Sequence, residues 1–220
     1  MRKVALSIAV ILMVTCVQAQ NKISEGTIVY TVEWQLPEQF RAIANNFPSE
    51  IKVYFKGDSS STKTESNLYS STSIMNSLTN FEQVLLDIPL MNKKYSVIFT
   101  PEDQKNMADK MPDLKLIQEA ETKILAGYKV QKYTGIEKKS GQKFEAWLTK
   151  DVEITANAIS RFYDKNYGFP VQFTAFLNGL TLKALVKEIK IGTVPPRSFI
   201  ASKDYEEITV DQLIQVSSEN

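Results

Sequence analysis

The feature that most constrains this chain is its run of short stretches in which apolar and polar residues alternate, each closed by a turn signal. In Thr27–Trp34, Ile28, Tyr30, Val32 and Trp34 alternate with Thr27, Thr31 and Glu33, and Val29 is the one exception. That period of two predicts a half-buried strand. Ile51, Val53 and Phe55 alternate with Lys52, Tyr54 and Lys56 in the next. Gln83–Ile88 and Lys94–Phe99 flank Pro89-Leu90-Met91-Asn92 as a hairpin, and Thr122–Leu125, Tyr128–Ile136 and Lys143–Thr149 follow, punctuated by Gly127 and Ser140-Gly141. Val171–Leu177 and Leu182–Ile191 bracket Asn178-Gly179, the strongest short hairpin signal in the chain. A final strand is expected around Asp204–Ile208. Closely spaced strands joined by turns give an antiparallel sheet rather than βαβ units.

Helices are few and short. Pro37 suits a first helical position, and Phe40, Ile43, Ala44 and Phe47 would share a helical face before Pro48. Thr100 is a plausible N-cap, with Pro101 next and Glu102 and Asp103 in the first turn. Ile154, Ala158 and Phe162 mark a third helix, and Val210–Val216 a fourth. A sheet of many strands must bury one face against such helices. Ser59–Asn80, dominated by Ser, Thr and Asn, reads as a polar edge strand followed by a mobile loop. No internal repeat and no Pro/Gly linker divides the chain, so residues 20–220 are expected to form one domain.

Residues 1–19 read as a secretory signal peptide: Arg2 and Lys3, then the apolar run Val4–Val14, then Val17 and Ala19 before the expected cut. The chain is therefore expected to be exported, periplasmic or associated with the outer envelope. The apolar run is shorter than the roughly 20 residues a membrane-spanning helix needs, so no transmembrane segment is expected in the mature chain. Cys16 is the only cysteine. Lipidation there is the less favoured reading, because Thr15 is a poor residue before such a cut. Removing residues 1–19 takes away two basic residues and no acid, leaving 24 basic against 25 acidic. The basic surface of a nucleic-acid binder is absent. Lysines mixed with Glu137 and Glu145 read as a solvated face.

The chain has no histidine. That excludes Ser-His-Asp and Cys-His nucleophile systems, His-ligated metals and His pH switches. The carboxylate pairs Glu119/Glu121 and Glu206/Glu207 read as surface charge. Asp164, Asn166 and Gly168 faintly suggest a calcium loop, but Phe169 and Ala175 stand where that loop wants Gly and Glu. No phosphate-binding glycine motif is present. No catalytic residue, metal ligand or cofactor is expected, and the chain reads as a non-enzyme.

The second half resembles a family of exported Gram-negative envelope proteins related in fold to the lipoprotein carriers LolA and LolB. The likeness rests on Lys123-Ile124-Leu125-Ala126-Gly127-Tyr128-Lys129-Val130, Ala146-Trp147-Leu148-Thr149-Lys150-Asp151, Tyr167-Gly168-Phe169-Pro170-Val171 and the closing segments Ser198-Phe199-Ile200 and Asp204–Ile208. The first half agrees more loosely, through Glu25–Tyr30 and the Asp87…Lys93-Lys94-Tyr95 hairpin. Val130 stands where the family often has Cys, and Ala201 where it usually has Pro. The resemblance implies a mainly β (α+β) fold: a curved antiparallel sheet forming an open half-barrel, with a few short helices covering the concave face.

In such a half-barrel, inward-facing aromatics from separate strands converge. Tyr30, Trp34, Phe55, Phe99, Trp147 and Phe173 are thus the candidate ligand-binding residues, with both tryptophans near the cavity wall. Two readings stay open. In one, an envelope binding protein holds a lipid or other apolar molecule under the helices. In the other, the same aromatics fill the interior, and the chain is a structural or protein-interaction module with an envelope partner. Aromatic residues serve cores and pockets alike, so the sequence leaves both standing.

Overall fold

The computed structural model describes residues 21–177 and 180–218. The expected signal peptide, Cys16 and the Asn178-Gly179 turn lie outside the described residues. The strands are β1 (Asn21–Lys22), β2 (Glu25–Gln35), β3 (Glu50–Lys56), β4 (Ser59–Glu65), β5 (Ser70–Asn76), β6 (Phe81–Ile88), β7 (Lys93–Ile98), β8 (Leu114–Leu125), β9 (Tyr128–Glu137), β10 (Lys143–Thr149), β11 (Val152–Glu153), β12 (Phe169–Leu177), β13 (Leu180–Ile191) and β14 (Glu206–Glu207). Two α-helices join them, α1 (Pro101–Ala108) and α2 (Val210–Ser218). One 12-stranded sheet runs in the order β14-β7-β6-β5-β4-β3-β2-β13-β12-β10-β9-β8. The fold is mainly β, a large open sheet whose ends do not close into a barrel. All its pairings are antiparallel except that of β14 on β7.

Directly opposed residues share a face, so the register separates the two sides of the sheet. Ile28, Tyr30 and Val32 of β2 lie on one side with Val53 and Ile51 of β3 and with Val186 and Ala184 of β13. Ala184 in turn pairs with Phe173. These residues are all buried, and this side is the core face. Val29, the exception to the alternation, falls on the outer face.

The strand pattern of the sequence is realised closely. Lys143–Thr149 matches β10, and β12 and β13 pair antiparallel as far as Leu177 and Leu180. Four expectations need correction. The polar tract is not an edge strand with a loop: it forms β4 and β5, both inside the sheet. Ser60, Ser61 and Thr62 are buried, and Thr62 accepts a hydrogen bond from the backbone N–H of Ala158. Small hydroxyl side chains let covering segments approach both faces.

The expected helix around Ile154, Ala158 and Phe162 is a run of turns. Asn157 and Ser160 cause this: the Asn157 side chain accepts from the N–H of Ile159, and the Ser160 hydroxyl accepts from the N–H of Asn157. Such local bonds compete with the helical ladder. This irregular stretch, ending in a 3-10 turn at Lys165–Tyr167, and not a helix, covers the core face: Ile159 and Tyr163 are buried in the core cluster.

The segment after Pro37 is a 3-10 helix, Glu38–Asn46, with no buried residue. Three residues per turn put Phe40 in line with Ile43 and split both from Phe47, so the expected apolar face does not form. Ile43 is 44% exposed, and Phe47 packs on a strand residue, Trp34. Finally, Glu137 is not on a solvated face but is 5% exposed at the end of β9.

The segment after β13 returns across the sheet. The N–H of Gly192 bonds the backbone of Glu25, that of Val194 its carboxylate, and that of Ile208 the Ser96 carbonyl. The segment thus starts beside β2 and ends beside β7. Ser61, Ile74, Gln83, Leu85 and Ser96, on the outer face of the strands between, are buried. Tyr205 sits against Lys94 there, 5.7 Å from ring centre to Nζ.

Candidate functional site

The core face is organised by edge-to-face aromatic contacts. Tyr30 and Phe173 pack with centroids 5.8 Å apart at 87°, and Tyr163 of the covering stretch meets Phe173 at 5.3 Å. Phe144 then meets Tyr163 at 6.2 Å and Phe176 at 5.6 Å. Such pairs add about 0.5–1.5 kcal/mol each beyond the area they bury. The Tyr163 hydroxyl donates to the Thr174 carbonyl at 2.7 Å. Burial raises the pKa of both Tyr30 and Tyr163. The Tyr30 hydroxyl, the Asn157 amide nitrogen and the Ser60 hydroxyl are buried without a hydrogen-bond partner in the protein.

The six candidate residues take four different situations. Tyr30, Phe55 and Phe173 are fully buried on the core face, and of these Tyr30 and Phe173 touch. Phe55 lies over Gly26, where an added Cβ would come within 2.9 Å of its ring. The Lys190 backbone carbonyl would lie closer still, at 2.5 Å, so position 26 admits no side chain without a shift of backbone as well as ring.

Trp34 is half-buried at the end of β2, its ring tilted at 56° to that of Phe47 with centroids 5.1 Å apart, and it donates from Nε1 to the Pro48 carbonyl at 2.8 Å. Trp147 pairs with Gln172, Gln172 with Leu185 and Leu185 with Thr31, so it occupies the outer face, opposite Tyr30. Its ring is covered there by Lys123, with Nζ 3.7 Å from the centroid, and more distantly by Lys132. The strand pattern around Trp147 could not reveal this, because Ala146, Trp147 and Leu148 are all buried and the register shifts between Trp147 and Leu148.

Phe99 lies on the core-face row of Phe55, but at the far end beyond β7. It lines an open groove of about 410 Å³ with Thr79, Asn80, Phe81, Pro101 and Gln104. A second open groove, of about 650 Å³, lies where Asn21–Glu25 meet Tyr128, Val152 and Ile191–Thr193. The six residues do not converge on one cavity.

Sequence reasoning missed Arg161. It reaches from the covering stretch to Glu82 on β6 at 2.9 Å, with Met75 and Met111 sulfurs beside its guanidinium. Its signal in the sequence was a single charge within the otherwise uncharged run Ile154–Tyr163. Among the described residues, no group of three or more Asp, Glu, His or Cys is placed to hold a metal ion. No described helix is long and apolar enough to cross a membrane. No protein-family model matches the chain, and no curated protein matches its sequence.

Proposed function

We propose that the protein is a non-enzymatic binding module of the exported, envelope-associated kind, which meets a protein partner at its surface and keeps its interior for itself. The observation that carries this reading is the filled core face. Tyr30, Phe173, Tyr163 and Phe144 pack ring against ring across the space where an acyl chain would run. A hydrocarbon chain could enter only by displacing buried rings from one another. The likeness to envelope proteins of the lipoprotein-carrier type is part of this proposal, as is removal of a leader before Gln20.

A second reading is favoured by the groove beside Phe99. Its walls are Phe81, Phe99 and Pro101, and its volume of about 410 Å³ is within the range of small-molecule sites. In that reading an apolar ligand binds at the surface, away from the core.

Titration of the mature protein with a long-chain fatty acid separates the readings. Tryptophan emission in a Trp147→Phe background reports on Trp34, and a Phe99→Ala variant reports on the groove. The first reading expects no saturable change in either emission or native mass. Saturable binding lost in Phe99→Ala supports the second. Saturable binding that survives Phe99→Ala but moves Trp34 emission would restore the internal acyl site and remove the first reading.

A further inference from the structure

The two edges of the 12-stranded sheet are treated differently. The β7 edge is closed by the chain itself, through β14 and the α2 segment. The other edge is β8, whose outer side pairs with no strand among the described residues. It is 12 residues long and carries Ile117 and Ile124, 57% and 66% exposed. A long edge with exposed isoleucines is a template for another strand, and a second copy of the chain supplies one.

The middle of β8 is built against that. Gln118 pairs with Tyr133 and Thr122 with Gln131, so Glu119, Ala120 and Glu121 together face the single residue Lys132. Two side chains of β9 at this point, those of Gln131 and Thr134, are committed to the bulge, and Lys132 is shared between it and Glu145, 3.0 Å away. The Gln131 side-chain amide donates to the carbonyls of both Glu119 and Glu121. The Thr134 hydroxyl donates to the Glu119 carboxylate at 2.7 Å, and Lys132 pairs with that of Glu121 at 3.4 Å. A bulge breaks the regular spacing an incoming strand must match. Here it divides the edge into Leu114–Gln118 and Thr122–Leu125, each too short to hold a partner strand well.

We infer that Gln131 is a positioning residue for solubility: by holding the carbonyls of Glu119 and Glu121 it keeps the β8 edge bent and stops the chain from pairing with copies of itself. Its neighbours Lys132 and Thr134 hold side chains, which a straightened strand could still reach. Gln131 alone holds the backbone, so it carries the device.

The test is Gln131→Leu, which keeps the side-chain volume and removes the donor, in the full mature chain. Sedimentation velocity at rising concentration is read beside hydrogen exchange of the β8 amides. The wild type is expected to stay monomeric, with fast exchange at those amides of Leu114–Leu125 that point away from β9. Gln131→Leu is expected to form concentration-dependent larger species in which those amides exchange at least tenfold more slowly. Adding Ile117→Lys, a charge on the edge, should return it to monomer.

A Gln131→Leu protein that stays monomeric at every concentration would overturn the inference. So would association that leaves β8 exchange unchanged or persists with Ile117→Lys, since Gln131 would then matter only to general stability. Self-association of the wild type through β8 would also remove it.

Discussion

Glu137 ends β9, and its carboxylate is surrounded by donors: the hydroxyl and N–H of Ser140 and the N–H groups of Lys139 and Asp113. The Ser140 hydroxyl contributes most to lowering its pKa, from 4.5 to about 2, with burial opposing and the backbone donors adding to the shift. A carboxyl depressed in the folded state stabilises above its unfolded pKa and loses that contribution as pH falls toward the folded value. The window is therefore from about 4.5 down to about 2. Glu137→Gln is expected to be less stable than the wild type at neutral pH, with the gap in urea midpoint narrowing on acidification through that window. A gap independent of pH would show that shape, not charge, matters there. Gly135 makes a different kind of demand. A Cβ at this position would lie 2.3 Å from the ring of Phe144, which pairs with it across the strands. Phe144 is itself held by Tyr163 and Phe176, so the ring has little room to give. Gly135→Ala is expected to destabilise by about 1–3 kcal/mol, the range for overpacking a filled site, as read in a denaturant melt. Alanine at the exposed turn glycine Gly141, where nothing lies near the added carbon, tests backbone strain alone and serves as the comparison.

At the scale of elements, α1 was legible because its start obeys local chemistry. The Thr100 hydroxyl accepts from the N–H of Asp103, and the Asp103 carboxylate accepts from the N–H of Thr100. Thr100→Ala is expected to cost about 1 kcal/mol and to fray Pro101–Ala108 in exchange experiments. Unchanged protection of that helix would show that its packing and not its cap holds it. A second box, Thr209 with Gln212 at the start of α2, was equally readable and went unread. The strands were legible for a related reason: a half-buried strand needs only its own alternation. What could not be read were elements whose state depends on neighbours. Ser59–Asn76 looks like surface by composition, yet it lies between two covering segments, one on each face, and the Thr62 hydroxyl bonds one of them. Asn157-Ala158-Ile159-Ser160 has helical spacing of apolar residues, but its own side chains satisfy its backbone first. Among the candidate site residues, alternation placed Tyr30, Phe55 and Phe173 correctly on the inner side. It misplaced Trp147, because a register shift follows that residue and three consecutive buried side chains carry no facing information.

At the scale of the whole molecule, the covering stretch is the piece that turns a sheet into a closed core, and Arg161 fastens it. Its guanidinium pairs with Glu82 while its other nitrogen lies 3.4 Å from the Met111 sulfur, so one side chain ties the stretch to β6 and to the segment between α1 and β8. The two charged side chains are 20% and 15% exposed, so the pair is largely out of water. Removing one member of a fully buried pair costs about 3–5 kcal/mol, mostly for the charge left behind, whereas replacing both by apolar groups is often neutral. With some solvent still reaching both groups, Arg161→Met is expected to cost about 2–3 kcal/mol, less than that full range. Glu82→Leu alone should cost a similar amount. The double variant, which places two apolar side chains beside Met75 and Met111, should return to within about 1 kcal/mol of the wild type. Urea melts of the four proteins give the coupling directly. If the double variant instead loses the sum of the two single losses, the pair has no mutual dependence, and the stretch is held by Ile159 and Tyr163 alone. Exchange at Asn157–Tyr163 separates the cases further: a fastened cover opens with the globe in the wild type and ahead of it in Arg161→Met.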